Sequence, residues 1–295
     1  MLFEGFDVAD PATPRGIVHA RVAGSGPPLL LLHGYPQTHL MWHAVAPLLA
    51  EQFTVVVADL PGYGDSFLPP ITDDHAAHSK RALAVDLVAA MSQLGHDTFA
   101  VAGHDRGGRV AYRMALDHPT VVSRLAVLDI VPTGEIWARA DATFALGYWH
   151  WPFLAQPAPL PERLILGDPD AFWIAATRMG IRGEDARYPA EVVAAYRAQL
   201  ADPERVGAMC EDYRAGATID RAIDDADAGR RTIACPVLVL WGANGGLPRF
   251  YKDPLELWHA LAPQATGRAV DQASHFLAED QPARVAAELA GFFAG

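Results

Sequence analysis

The sequence predicts an α/β fold in which a doubly wound, mostly parallel sheet carries an inserted helical cap. Short apolar runs alternate with helical patterns in the first and last parts of the chain, which is typical of such a sheet. The alternation stops after Leu128 and resumes at Val237. The segment between them is rich in helix-forming residues, so we expect it to cover the carboxyl ends of the strands.

Buried strands are predicted where short runs rich in Val, Leu or Ala are bounded by Gly, Pro or Asp. The predicted strands are Leu29–Leu32, Thr54–Ala58, Thr98–Ala102, Leu125–Leu128, Val237–Trp241 and about Arg268–Val270. The predicted helices of the sheet domain are about Lys80–Leu94, Gly107–His118, Pro254–Leu261 and Pro282–Phe293. We therefore expect a core formed by residues 1–132 and 233–295, and a cap formed by residues 133–232.

Composition and charge exclude several classes of protein. The chain has 295 residues, of which 51% are hydrophobic and 20% charged, the balance of a globular protein with a large core. A net charge of −12 without a Lys- or Arg-rich run argues against nucleic acid or an anionic membrane as partner. Cys210 and Cys235 have no metal-ligand spacing, and no signal-peptide pattern is visible. We expect a soluble cytoplasmic protein with no metal and no cofactor.

The segment Gly103–Gly107 carries the strongest chemical signal. It reads GHDRG, follows a predicted strand and opens a predicted helix. This is the nucleophile-elbow pattern G-x-S-x-G with Asp105 in place of serine, in which a sharp turn lifts one side chain above the sheet. Taken alone, the motif is equally consistent with Asp105 as a helix cap.

Two further segments complete a constellation around Asp105. His33–Pro36 follows the first central strand, where α/β-hydrolases place an oxyanion loop, and the predicted donors are the backbone N–H groups of Tyr35 and Arg106. His275 follows the last strand, at the place of the catalytic histidine in this fold.

The acid that orients His275 is predicted to be Asp129. It ends the strand Leu125–Leu128, whereas the loop after Val237–Trp241 contains no carboxylate before Asp253. Asp253 is the alternative, and a strand-end cap is the structural interpretation of Asp129.

With these residues identified, the chain resembles the haloacetate (fluoroacetate) dehalogenases of the α/β-hydrolase fold. The resemblance covers nearly the whole length and is strongest in GHDRGGR, RMALDHP, LAVLDIVPT, YWHWPFLAQPAPLPE and DYRAG. It implies that Arg106 and Arg109 hold the carboxylate of a haloacid substrate, and it suggests a homodimer. It also implies that the departing halide is surrounded by His150, Trp151 and Tyr213. The chain departs from the family pattern at Tyr35, where phenylalanine is frequent, and at Met179-Gly180, where a tryptophan is expected.

The chemistry implied by the resemblance explains why a carboxylate replaces serine. Asp105 attacks the carbon that bears the halogen and forms an ester. His275 then deprotonates a water that attacks the carboxyl carbon of Asp105. A serine would form a stable ether instead, with no carbonyl for water to attack.

Two other functions stay open at this stage. An epoxide hydrolase would use the same Asp and His with two cap tyrosines, for which Tyr148 and Tyr213 are available, although such enzymes usually have Trp where this chain has Arg106. A catalytically silent receptor for an organic acid is a second alternative. A serine esterase is excluded because Asp105 stands at the elbow.

Overall fold

The structure, a computed structural model, describes residues 2–177 and 188–295. Its strands are β1 (Asp7–Ala9), β2 (Ala20–Ala23), β3 (Pro28–Leu32), β4 (Thr54–Ala58), β5 (Phe99–His104), β6 (Val122–Leu128), β7 (Val237–Gly242) and β8 (Thr266–Val270). Within the described residues they form one sheet in the order β1-β2-β4-β3-β5-β6-β7-β8. The β1–β2 and β2–β4 pairs are antiparallel and the remaining pairs are parallel. The predicted fold class is confirmed.

The helices lie between and after these strands. In the described residues the α-helices are α1 (Ala46–Leu49), α2 (Lys80–Gln93), α3 (Asp105–Asp117), α4 (Thr133–Arg139), α5 (Ala142–Gly147), α6 (His150–Leu154), α7 (Leu160–Gly167), α8 (Pro169–Thr177), α9 (Ala190–Ala201), α10 (Pro203–Ala217), α11 (Ile219–Asp227), α12 (Leu247–Phe250), α13 (Leu277–Asp280) and α14 (Pro282–Ala294). Single 3₁₀ turns occupy His39–Trp42, Ala76–His78 and Glu256–Trp258.

The centre of the sheet is buried on both faces. Leu30 of β3 lies between Val56 of β4 and Val101 of β5 in the parallel register. Strands in this position have no solvent face, which explains why β3 and β4 read as continuous apolar runs rather than alternating ones. Helix α2 packs on α3, and α1 packs on α14.

Helices α4–α11 occupy the chain between β6 and β7, in the segment predicted as the cap. Helix α10 is central in it and packs against α6, α7, α9 and α11. The described residues of this segment contain no strand. The exact boundaries of the cap at residues 133 and 232 stay predictions.

One predicted element is wrong and two strands were not anticipated. Pro254–Leu261 is not an α-helix, because only Glu256–Trp258 forms a 3₁₀ turn. Its geometry is set by tertiary contacts instead: the Trp258 indole N–H donates to the Ile130 carbonyl, and its ring packs edge-on against Tyr112. Strands β1 and β2 were missed because three or four partly exposed residues give no clear period.

Among the described helices, none combines the length and the apolar character that crossing a bilayer requires. Cys210 and Cys235 are both buried and unpaired, as expected for ordinary core thiols.

Candidate active site

The turn from β5 into α3 places Asp105 at the first position of the helix. Asp105 has φ = +44°, a left-handed conformation that is costly for a residue with a Cβ. The turn closes because its glycines allow backbone contact: a Cβ on Gly103 would lie 2.4 Å from the Gly107 carbonyl oxygen, and one on Gly107 would lie 2.3 Å from that of His33. The strained nucleophile elbow predicted from GHDRG is therefore present.

Asp105 is 5% exposed and faces several positive groups. Its Oδ1 accepts a hydrogen bond of 3.0 Å from the backbone N–H of Tyr35, the donor predicted from the His33–Pro36 loop. Burial alone would raise the pKa of this carboxyl, but the positive charges of His275 and Arg106 outweigh it and lower the pKa to about 2. Asp105 is thus ionised over the physiological pH range, as a carboxylate nucleophile requires.

Asp129 contacts His275, as predicted. The Asp129 Oδ2 lies 2.5 Å from the His275 Nδ1, and its Oδ1 accepts from the backbone N–H of Gly242 at 2.9 Å. Like Asp105, Asp129 has a positive φ, +53°, which turns its side chain away from the strand direction. Asp253, the alternative, is exposed and its carboxylate caps Leu255.

His275 lies in the loop after β8, beside the Asp129 carboxylate. Its side chain is 15% exposed. Burial lowers the pKa of His275, but the hydrogen bond and negative charge of Asp129 raise it more, so that the pKa lies above its usual value of 6.5. The neighbouring His104 donates to the His275 carbonyl oxygen through Nε2 at 2.8 Å. Burial lowers the pKa of His104 to about 3, so this ring is neutral and can serve only as a structural donor.

A cavity of about 40 Å³ lies between the core and the cap. By the rule of about 10–15 Å³ for each enclosed water, this is room for about three waters. Of the residues singled out from the sequence, those lining it are Tyr35, Asp105, Arg109, Asp129, Tyr148, His150, Trp151, Tyr213 and His275. The structure therefore brings together, around one small space, residues predicted from six separate segments of the sequence.

The two arginines of GHDRGGR have different surroundings. Arg109 lines the cavity, and its Nη1 donates to the Val131 carbonyl and the Thr133 hydroxyl. Arg106 is 1% exposed and its Nε donates to the Asp212 carboxylate at 2.8 Å. Among the described residues, the Nε of Arg109 and the Nη1 of Arg106 are buried without a hydrogen-bond partner. Each arginine thus keeps one donor for a further acceptor.

The cap contributes an aromatic wall made of His150, Trp151 and Tyr213. The Tyr213 ring stands edge-on to Trp151 at 5.7 Å and to His150 at 6.0 Å, measured between ring centroids. The Arg106 guanidinium lies 4.1 Å from the Tyr213 ring centre, and that of Arg109 lies 4.7 Å from the ring of Trp151. These contacts hold α6 and α10 of the cap against the two arginines of α3, beside Asp105.

Of the two departures from the family pattern, at Tyr35 and at Met179-Gly180, only the first lies in the described residues. The Tyr35 ring lines the cavity and lies parallel to His150, with centroids 6.0 Å apart. Met179 and Gly180 lie outside the described residues. Sequence reasoning missed the roles of His104 and Asp212, which support His275 and Arg106. The only available signal was that both stand inside the quoted motifs GHDRGGR and DYRAG.

Comparison with known proteins identifies the fold and two groups of relatives. A family model described as "alpha/beta hydrolase fold" matches residues 27–282. A fluoroacetate dehalogenase from Burkholderia sp. is 49% identical over 83% of this chain and 80% of its own length. A soluble epoxide hydrolase from Corynebacterium sp. (strain C12) is 33% identical, covering 94% of this chain and 93% of its own. A solved structure from Pseudomonas aeruginosa, described as a candidate epoxide hydrolase, superposes with a TM-score of 0.90 at 47% identity, covering 100% of this chain and 97% of its own.

Proposed function

The chain belongs to the α/β-hydrolase family, and we propose that within it the protein is a hydrolytic dehalogenase that converts a short 2-haloacid to the 2-hydroxy acid and halide. One observation carries the proposal: a buried, ionised carboxylate and an arginine with an unused donor line the same small cavity. The similarity to a fluoroacetate dehalogenase supports it. Neither an epoxide nor a haloalkane needs such an arginine.

In the first step, Asp105 displaces the halide. Its Oδ1 is already held by the Tyr35 N–H, which leaves Oδ2 as the attacking atom. The carbon–halogen bond breaks as the carbon–oxygen bond of the ester forms, and halide leaves with both bonding electrons. The N–H and O–H donors of His150, Trp151 and Tyr213 are the groups proposed to receive the developing halide charge.

In the second step, His275 takes a proton from water as the water oxygen attacks the carboxyl carbon of Asp105. Negative charge develops on Oδ1, which the Tyr35 N–H, together with that of Arg106, stabilises. The bond between the carboxyl carbon and the ester oxygen, the former Oδ2 of Asp105, then breaks. His275 returns its proton to this oxygen, which leaves as the hydroxyl of the product. The second proton of the water goes to solvent, and Asp105 is again a carboxylate.

The substrate class follows from charge. An anionic substrate must approach anionic Asp105, which is unfavourable unless positive groups are fixed beside it. Arg106 and Arg109 supply them, because a guanidinium can hold a carboxylate through two parallel hydrogen bonds. The size of the cavity favours acids of two or three carbons.

A trapped intermediate tests the mechanism directly. In His275→Asn the first step still proceeds while the second is blocked, so we expect an ester to accumulate on Asp105. Intact-protein mass spectrometry after incubation with chloroacetate should show one added carboxymethyl group, which peptide mapping should place on Asp105. The matched control is His104→Asn, which changes the neighbouring ring and should give no stable adduct. Absence of an adduct in His275→Asn, together with no halide release by the wild type, would reject the proposal.

An epoxide hydrolase is the second candidate, because both tyrosines that it would need, Tyr148 and Tyr213, line the cavity. It also agrees with the Corynebacterium and Pseudomonas relatives. Measuring diol formation from styrene oxide beside halide release from chloroacetate distinguishes the two. Faster turnover of the epoxide would assign this second function.

Two finer expectations, a homodimer and a cytoplasmic location, stay predictions. Light scattering coupled to size-exclusion chromatography tests the first, and cell fractionation tests the second.

A further inference from the structure

Arg106 belongs to a buried cluster of four charged side chains, the others being Lys80, Asp212 and Asp220. The Asp212 carboxylate accepts from the Arg106 Nε and from the Tyr63 hydroxyl, each at 2.8 Å, and it also contacts the Lys80 Nζ. Lys80 reaches on to Asp220, whose Oδ2 lies 3.1 Å from the Nζ. Lys80, Asp212 and Asp220 are at most 5% exposed. Water therefore screens these charges less than it screens charges on the surface.

The cluster connects the core to the cap. Lys80 is the first residue of α2 in the core, whereas Asp212 and Asp220 lie on α10 and α11 in the segment between β6 and β7. The backbone N–H of Lys80 also donates to Asp220, at 2.8 Å, so the lysine is fixed at both ends. A flexible surface lysine would not be held this way, which points to a defined role for its charge.

Formal charges in the cluster cancel: Arg106 and Lys80 carry +2, and Asp212 and Asp220 carry −2. If Lys80 were absent, Arg106, Asp212 and Asp220 would together carry a net charge of −1. If Asp220 were neutral, the sum would be +1. Arg106 itself does not line the cavity, but its guanidinium packs against the rings of Trp151 and Tyr213, which do. The net charge behind these rings therefore depends on Lys80 and Asp220 as well as on Arg106 and Asp212.

We propose that Lys80 is a positioning residue that acts through Asp212 to keep Arg106 available for a substrate carboxylate. With Lys80 present, Asp212 shares its charge between two cations and leaves the Nη1 of Arg106 for another acceptor. Without it, Asp212 faces Arg106 alone and cancels most of its charge. This inference rests on the proposed function only in naming a carboxylate as the ligand.

Equilibrium binding of acetate and of its neutral isostere, acetamide, tests the inference without requiring turnover. We expect Lys80→Met to weaken acetate binding about tenfold, the order expected for removing one buried, partly screened charge. Asp220→Asn should strengthen acetate binding by a few-fold, in the opposite direction. Lys80→Arg, which keeps the charge, should retain wild-type affinity, and acetamide affinity should stay within about twofold in all three variants. If the wild type also releases halide from chloroacetate, the same changes should appear in KM with kcat little altered.

Opposite signs for the two charge changes are the decisive result, because general damage to the fold would weaken binding in both variants. If Lys80→Met fails to fold, the direction of the Asp220→Asn effect decides. Equal losses for acetate and acetamide, a weaker acetate complex in Asp220→Asn, or no acetate binding by the wild type would each overturn the inference. Failure of the wild type to release halide, with these binding shifts present, would reject the proposed dehalogenation and leave the role of Lys80 intact.

Discussion

The two sides of the cavity are built by different means. On the core side, backbone groups hold the functional side chains: the Tyr35 N–H contacts Asp105, and the Gly242 N–H contacts Asp129. On the cap side, His150, Trp151 and Tyr213 are positioned by ring contacts with one another. Backbone hydrogen bonds at the ends of β-strands fix an atom in direction as well as distance, whereas ring contacts leave more freedom. Under the proposed function, we therefore expect the core side to determine whether the reaction proceeds and the cap side to determine which leaving group is accepted.

The largest effect is expected on the core side, at the nucleophile. Asp105→Asn replaces the carboxylate by an amide of nearly the same shape. The rate of halide release should therefore fall about 10⁴-fold or more, as expected when an enzyme loses its nucleophile. An ion-selective electrode measures the rate, and circular dichroism verifies that the variant is folded. A variant retaining a tenth of the wild-type rate would show that Asp105 is only a helix cap.

The next effect is expected where the two sides meet, at Arg109. Arg109→Met keeps much of the aliphatic stem but removes the charged guanidinium that lies over the Trp151 ring. We expect a loss of about 2–5 kcal/mol in kcat/KM for chloroacetate, the range for losing one partner of a buried charge pair. The rate with chloroacetamide, which has no carboxylate, serves as the internal control. If the wild type turned over the amide as well as the acid, the arginine would have no part in substrate selection.

A selective effect is expected on the cap side. Trp151→Phe and Tyr213→Phe each remove one donor and retain an aromatic ring beside Arg106. Fluoride is small and strongly hydrated, so it depends on aimed donors more than chloride does. Each donor is worth about 2.7–4 kcal/mol if it acts like an oxyanion-hole group, so fluoroacetate turnover should fall by about 10²-fold relative to chloroacetate turnover. The ratio of the two rates within one variant cancels damage to folding. Equal losses for both substrates would mean that these rings only pack the cap.

The smallest expected effect is a pH dependence set on the core side. His275 must be neutral to accept a proton, and the hydrogen bond that its Nδ1 donates to Asp129, with the negative charge of Asp129, raises its pKa above 6.5. The rate of ester hydrolysis should therefore rise about tenfold per pH unit up to an apparent pKa above 6.5 and then level off. Asp129→Asn removes the negative charge and should move this limb to lower pH, besides reducing the maximal rate. A pH profile of kcat for both proteins tests this. If the apparent pKa of the rising part were the same in the variant, Asp129 would not set the pKa of His275.

Much of the core side could be predicted from the sequence because its signals are local. GHDRG contains the glycines that the turn requires, the acid follows directly after β6, and the histidine stands in the loop after β8. The choice of Asp129 over Asp253 rested on the absence of a carboxylate after β7, and the structure places Asp129 against His275.

The missed features depend on contacts between distant parts of the chain. Lys80 and Asp212 are 132 residues apart, and no local pattern indicates that they meet. The segment Pro254–Leu261 has helix-forming residues, yet its conformation is set by the contact of Trp258 with Ile130. Local propensity gave no information about either, since tertiary contacts determine both.

Asp129 also links parts of the chain that the cap separates. Asp129 precedes the cap in the chain, but the groups that it binds follow the cap. The Leu240 carbonyl accepts from the Asp129 backbone N–H at 2.7 Å, and the Asp129 carboxylate accepts from the Gly242 N–H and contacts His275. The two carboxylates are therefore translated before the cap, and the base is translated after it. A chain whose two core segments have closed incorrectly would have both carboxylates but no oriented base. If His275 is the base that we propose, water activation therefore requires that both core segments have folded against each other, because only then does Asp129 contact His275.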